Sequence, residues 1–179
     1  MSKTVLVLST SPRKGGNSDA LADAFVRGAQ KAGNQVEKIT LYDKTIGFCK
    51  GCLSCQNTQR CIIRDDADAI TQKMLTADVI AFATPIYYYG MCGQMKTLLD
   101  RANPLFPAAY QFRDIYLLAA AAEADEHTVV GAVTGLQGWI DCFEKARLAG
   151  TVFAGGVTAV GEIQGHPALQ QAYETGKTV

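Results

Sequence analysis

Short, wholly apolar runs alternate along this chain with longer segments whose apolar residues return every three or four positions, the rhythm of buried strands and amphipathic helices. Thr4 to Leu8 is the first such run, and Ser18 to Ala32 follows with Leu21, Phe25 and Ala29 on one face. Gly33-Asn34 stops that helix, and Gln35 to Tyr42 alternates as a second strand with Val36, Ile39 and Leu41 supplying apolar contacts. Asp65-Asp66-Ala67-Asp68 opens a helix whose inner face is Ile70, Met74 and Ala77; these acids read as helix-start residues. Val79 to Ala83 is a third strand ending at Thr84-Pro85, and a helix from about Gly93 to Ala102 comes after a tyrosine-rich loop. Ile115 to Ala121 makes a fourth strand, and Val129, Val133, Leu136, Ile140 and Phe143 mark one face of a long helix. Thr151 to Val160 reads as the last strand, with a bulge or close backbone approach at Gly155-Gly156. Pro167 to Tyr173 closes the chain as a helix with Gly176 beyond its end.

Five strands alternating with helices predict an α/β fold, a doubly wound sheet of five parallel strands with helices on both faces. In such a sheet ligands sit at the carboxyl ends of the strands, near the point where the strand order reverses. The loop Ser9-Thr10-Ser11-Pro12-Arg13-Lys14-Gly15-Gly16-Asn17-Ser18 leaves the first strand and enters the first helix there. Free amides of a first helical turn and the positive end of the helix dipole converge on one point, so an anion is the natural occupant. Gly15 and Gly16 let the backbone fold closely, Arg13 and Lys14 raise the potential, and Asn17 or Ser18 can cap the helix. The alternative is an ordinary turn built from small residues. Neither G-x-x-x-x-G-K-[ST] nor G-x-G-x-x-G occurs in the chain, which weakens both ATP hydrolysis and a standard dinucleotide site.

Composition narrows the partners. The chain has 179 residues, 48% of them hydrophobic, the size of one domain with a well-buried core, taken as 1–179. Lys plus Arg equals Asp plus Glu at 17 each, so no global field recruits nucleic acid or anionic membranes. The first apolar run is too short for a signal peptide and none reaches the length of a membrane span, which predicts a cytoplasmic protein. Its 6 cysteines are then expected to be thiols, metal ligands or redox groups rather than structural disulfides.

Pro85-Ile86-Tyr87-Tyr88-Tyr89-Gly90 ends the third strand on the same sheet edge as the Ser9–Ser18 loop. Tyrosines with a flexible Gly90 offer flat amphipathic walls to a planar ring, unless they only pack the loop onto the sheet. Both loops resemble those of the flavodoxin-like NAD(P)H-dependent oxidoreductases, and Lys96 with Leu99-Asp100-Arg101 is similar to the helix behind that family's second flavin loop. By that resemblance the fold is flavodoxin-like and Ser9, Ser11, Arg13, Asn17 and Ser18 hold the phosphate of FMN. Pro85, Ile86, Tyr87, Tyr88 and Gly90 line the isoalloxazine, with a third contact expected within Ala121 to Glu126. Thr10 departs from the glycine common at that place, so the backbone there is expected to be less closely folded.

Cys49, Cys52, Cys55 and Cys61 form C-x2-C-x2-C-x5-C within one loop, a density that suits a four-cysteine iron–sulfur centre better than zinc, whose two pairs usually stand further apart. The spacing resembles the compact motif of the iron–sulfur flavoproteins, implying a [4Fe-4S] cluster; free or structural thiols are the alternative. Cys92 and Cys142 read as buried small hydrophobes, and Lys96, Asp100 and Arg101 as a solvated, ion-paired helix face. His127 and His166 lack clustered partners, and His166 belongs to the terminal helix cap. The resemblance implies an enzyme in which NAD(P)H reduces FMN and the electrons pass to a quinone, flavin, metal complex, redox protein or iron–sulfur acceptor. The alternative is an electron carrier or redox sensor; the balanced charge speaks against a carrier. Homodimers or tetramers are expected from the same resemblance.

Overall fold

The computed structural model describes residues 2–179. Five strands, β1 (Thr4–Ser9), β2 (Gln35–Thr40), β3 (Val79–Tyr87), β5 (Asp114–Ala120) and β6 (Arg147–Ala154), lie parallel in the order β2-β1-β3-β5-β6. A two-residue strand, β4 (Gly90–Met91), folds back antiparallel on the end of β3. The order reverses between β1 and β3, so the crevice of a doubly wound sheet opens there.

Side chains alternate across each strand and build two cores. Val5 and Val7 pack with Leu21 and Phe25 of helix α1 (Asn17–Lys31) and Ala168 and Ala172 of the terminal helix. Leu6 and Leu8 face the opposite side, against Ile70 and Met74, Leu98 and Leu99, and Leu136 and Ile140. α2 (Ser54–Thr58) is a single short turn inside the cysteine loop. The second layer is α3 (Asp66–Thr76), α4 (Gly93–Arg101) and α5 (Val130–Ile140), and the terminal helix is α6 (Pro167–Lys177). The expected fold with helices on both faces is therefore present.

Several boundaries differ from expectation: β2 stops at Thr40, β3 runs on through Pro85 and Ile86 to Tyr87, and the last strand and last helix shift further. β6 begins at Arg147 and ends at Ala154, not Thr151 to Val160, because Arg147 and Gly150 disguise an edge strand. Arg147 Nε pairs with Asp114 Oδ1 at 2.8 Å on the neighbouring strand, and the register slips between Ile115 and Tyr116, where Leu148 and Gly150 are the partners. The bulge thus precedes the glycine pair, while Gly155 makes the close approach: a Cβ there would lie 2.8 Å from Glu123 O. α6 runs past Tyr173 to Lys177 and encloses Gly176, because α1 and α6 cross so tightly that a Cβ on Gly176 would overlap Phe25 O and one on Gly28 would overlap Tyr173 O. His166 is the N-cap of α6, its Nδ1 accepting from Ala168 N at 3.1 Å.

Arg101 is not on a solvated face. Its side chain is fully buried and grips both Asp65 oxygens, Nη1 to Oδ2 at 2.6 Å and Nη2 to Oδ1 at 2.9 Å. Further donations to Gly47 O (2.7 Å) and Ile63 O (2.9 Å) tie both ends of the cysteine loop to α4. Lys96 and Asp100 do form the exposed pair expected of them, at 2.6 Å. Cys92 is buried as expected, whereas Cys142 is exposed just beyond α5.

Candidate flavin-binding crevice

β1 delivers Ser9 to the carboxyl edge of the sheet, and the next seven residues return the chain into α1. The turn is tight because Ser11 Oγ both donates to Arg13 O (3.0 Å) and accepts from Arg13 N (3.1 Å). Gly16, not Asn17 or Ser18, occupies the N-cap position, and no side chain caps the helix. Space explains the choice: a Cβ on Gly16 would stand 2.7 Å from Ser11 Oγ. The first helical bond runs from Ala20 N to Gly16 O, so the amides of the preceding turn have no intrahelical acceptor.

Asn17 has a different task from capping. Its Nδ2 donates to Ala159 O (3.0 Å) and its Oδ1 accepts from Ile163 N (3.4 Å), binding the loop after β6 to the start of α1. Arg13 reaches the same loop, Nη1 donating to Thr158 O at 2.8 Å. Glu162 Oε2 secures that loop by accepting from Thr158 N and Ala159 N, and these two amides hold its carboxyl below the usual range. Within this frame Ser9 Oγ and Ser18 Oγ are buried and have no hydrogen-bond partner. An unsatisfied buried hydroxyl costs about 1–3 kcal/mol. A phosphate, which accepts from hydroxyls and free amides alike, fits such a cradle.

The crevice is walled by Ser11, Arg13, Gly16, Asn17 and Ser18 on one side and by Pro85, Ile86 and Tyr87 on the other. Ser9 lies outside this lining, as do Tyr88 and Gly90. Ala120, Ala121 and Ala122 form the floor together with Val157, Thr158 and Val160. Of the segment Ala121 to Glu126, Ala121 and Ala122 reach the crevice. Val157, Thr158 and Val160 lie beyond the end of β6, where apolar pattern alone reads as strand; Gly155, Gly156, Gly161 and Gly165 are the signs in the sequence of a turning loop.

The tyrosines do not pack the loop down. Tyr87 is 41% exposed, Tyr88 is wholly exposed and Tyr89 is 62% exposed. Tyr88 (φ 48°) and Tyr89 (φ 63°) form the left-handed two-residue turn that joins β3 to β4, with Tyr87 paired to Gly90. Such backbone costs roughly 1–3 kcal/mol per residue and persists only where its surroundings enforce it. Part of that enforcement is buried: Cys92 N donates to Thr84 Oγ1 (3.1 Å), and Cys92 Sγ contacts Thr10 Oγ1 (3.3 Å) and donates to Thr10 O (3.3 Å). Thr10 Oγ1 donates to Ala83 O at 2.8 Å. The residue that departs from glycine thus joins the two candidate flavin loops.

The four loop cysteines are engaged separately. Cys49 Sγ accepts from Gly51 N (3.4 Å), and buried Cys55 Sγ from Asn103 Nδ2 (3.1 Å). Cys61 stands beside the Arg101 guanidinium, while the amide and hydroxyl of Ser54 hold the exposed Cys52 thiol below its usual range. Among the described residues no three Cys, His, Asp or Glu side chains converge on one point. As folded, the four thiols are not gathered at one point.

Residues 4–145 match the family described as NADPH-dependent FMN reductase. The chain belongs to this family. Relatives of this FMN reductase-family chain include an "iron-sulfur flavoprotein" of Methanocaldococcus jannaschii, 39% identical over 56% of this chain and 52% of that one. Another is a putative NAD(P)H-dependent FMN-containing oxidoreductase of Bacillus subtilis, 31% identical over 66% of this chain and 67% of its own length. The chain spans about half the length of the iron–sulfur flavoproteins it matches. In architecture the FMN reductase-family fold is similar to an NAD(P)H:quinone oxidoreductase from Methanothermobacter marburgensis, with a TM-score of 0.73 at 17% identity over 99% of this chain and 97% of that one.

Proposed function

We propose that this protein is an FMN-dependent oxidoreductase that takes reducing equivalents from NADH or NADPH and passes them to a small-molecule acceptor such as a quinone or a second flavin. The observation that carries the reading is the Ser18 hydroxyl, buried without a partner in a strand-to-helix cradle that opens onto a crevice edged by tyrosine. Ser9, Ser11, Arg13, Asn17 and Ser18 would hold the phosphate, and Pro85, Ile86, Tyr87, Tyr88 and Gly90 would border the ring. Bound FMN supplies the hydride acceptor and the onward electron donor, so the protein needs no acid–base pair of its own. The chain's own residues would bind and orient the FMN.

Titration of the flavin-free protein tests the binding half. Arg13→Ala removes one charge-assisted contact and is expected to weaken FMN about ten- to a hundredfold, and riboflavin by clearly less, through the loosened Thr158 loop alone. Riboflavin binding to the parent as tightly as FMN would refute the phosphate assignment. Anaerobic mixing with NADH or NADPH tests the activity half: fast loss of flavin absorbance is expected, and slow loss with both would favour an electron carrier.

A second reading adds a cluster on Cys49, Cys52, Cys55 and Cys61, supported by their spacing and by the names of several relatives. The thiols would have to leave their present partners to become ligands. Anaerobic reconstitution decides: the parent takes up stoichiometric iron and sulfide and Cys52→Ala does not. No uptake by the parent refutes it.

A further inference from the structure

We propose that Gly131, on α5, is a positioning residue for the flavin ring: its missing side chain lets the Tyr88–Tyr89 turn seat against α5 and so sets the wall of the crevice. The proposal rests on the flavin reading above. Two consecutive tyrosines in left-handed backbone need more than the short β3–β4 ladder to hold them, since a two-stranded ribbon alone is marginal. On one side the turn is tied to the loop after β1 through Thr84, Cys92 and Thr10. On the other it meets α5, where a Cβ on Gly131 would overlap the Tyr89 carbonyl oxygen. That obstacle is backbone and cannot swing aside. One turn further along, a Cβ on Gly135 would approach Met91 Cε at 3.1 Å, the flexible end of a side chain, and around Gly138 there is open space.

The three glycines of one helix therefore form a graded series. Displacing the turn moves Tyr87 and Ile86, which face the crevice, and leaves the Ser9–Ser18 cradle in place. The experiment measures FMN and riboflavin dissociation constants and the absorbance band of the bound flavin, each at a temperature where circular dichroism shows the variant folded. Gly131→Ala is expected to weaken both flavins by about tenfold or more, and by the same factor, because the loss lies at the ring. The bound-flavin band should shift as well, which a loss of stability alone would not cause. Gly135→Ala should weaken both flavins by about two- to fivefold, and Gly138→Ala should match the parent. A folded Gly131→Ala with parental affinity and band overturns the proposal. Should that variant not fold, Gly135→Ala decides, and parental affinity there overturns it. A parent that binds neither flavin overturns the flavin reading itself, a result separate from the failure of Gly131.

Discussion

Thr10 and Cys92 show how a single position is settled by its neighbours. Both are fully buried, and their contacts join the loop after β1 to the strand that returns from the tyrosine turn. Thr10→Val keeps the volume and removes the hydroxyl, yet Ala83 O still accepts from Thr10 N at 2.8 Å. The expected loss is about 1 kcal/mol of unfolding free energy, measured by urea denaturation. Combining it with Cys92→Ala should give less than the sum of the single losses, since the two groups share one contact. Nothing local in Ser9-Thr10-Ser11 announces this pairing, because the partner is 82 residues away.

Among the elements, α4 and the cysteine loop depend on the Asp65–Arg101 pair. Burial alone would push the Asp65 carboxyl up, but the Arg101 guanidinium and the amides of Gly47 and Ala67 outweigh it and hold it below the ordinary range. A depressed folded value means that the pair's stabilisation is present above the unfolded aspartate range, near pH ~3.9, and fades as pH falls through the folded value. Thermal scans from pH 6 downward should therefore show a loss of stability below about pH 4 that Asp65→Asn lacks. At neutral pH that variant leaves Arg101 buried without its anion and is expected to cost roughly 3–5 kcal/mol. Cleavage by a protease within 48–62 should also quicken, since Arg101, which holds Gly47 and Ile63, is no longer oriented by its carboxylate. Periodicity placed α4 correctly and still misread Arg101, because a helical wheel cannot show that a loop from 36 residues upstream covers one face.

For the whole molecule, the apolar side chains left exposed outside the crevice bear on assembly. Phe48 is 80% exposed, and Leu53, Ile62 and Phe106 are each more than half exposed, three of these four within the cysteine loop. We expect a homodimer or tetramer by sedimentation equilibrium, and Phe48→Glu should shift it toward monomer; a monomeric parent would refute this. No helix among the described residues is long and apolar enough to cross a membrane. What the amino-acid sequence determined by itself was whatever depends on near neighbours: the apolar runs of β1, β3 and β5, the glycine-lined turn into α1, and the cysteine spacing. Those features arise from backbone geometry and periodic burial within a few residues. Only the tertiary structure decided where Gly28 and Gly176 must be small, that Val157, Thr158 and Val160 complete the crevice, and that the four thiols have separate partners. The physical reason is range. Burial and close approach at these positions are imposed by segments distant in the chain, and hydrophobic pattern carries no record of which segments will meet.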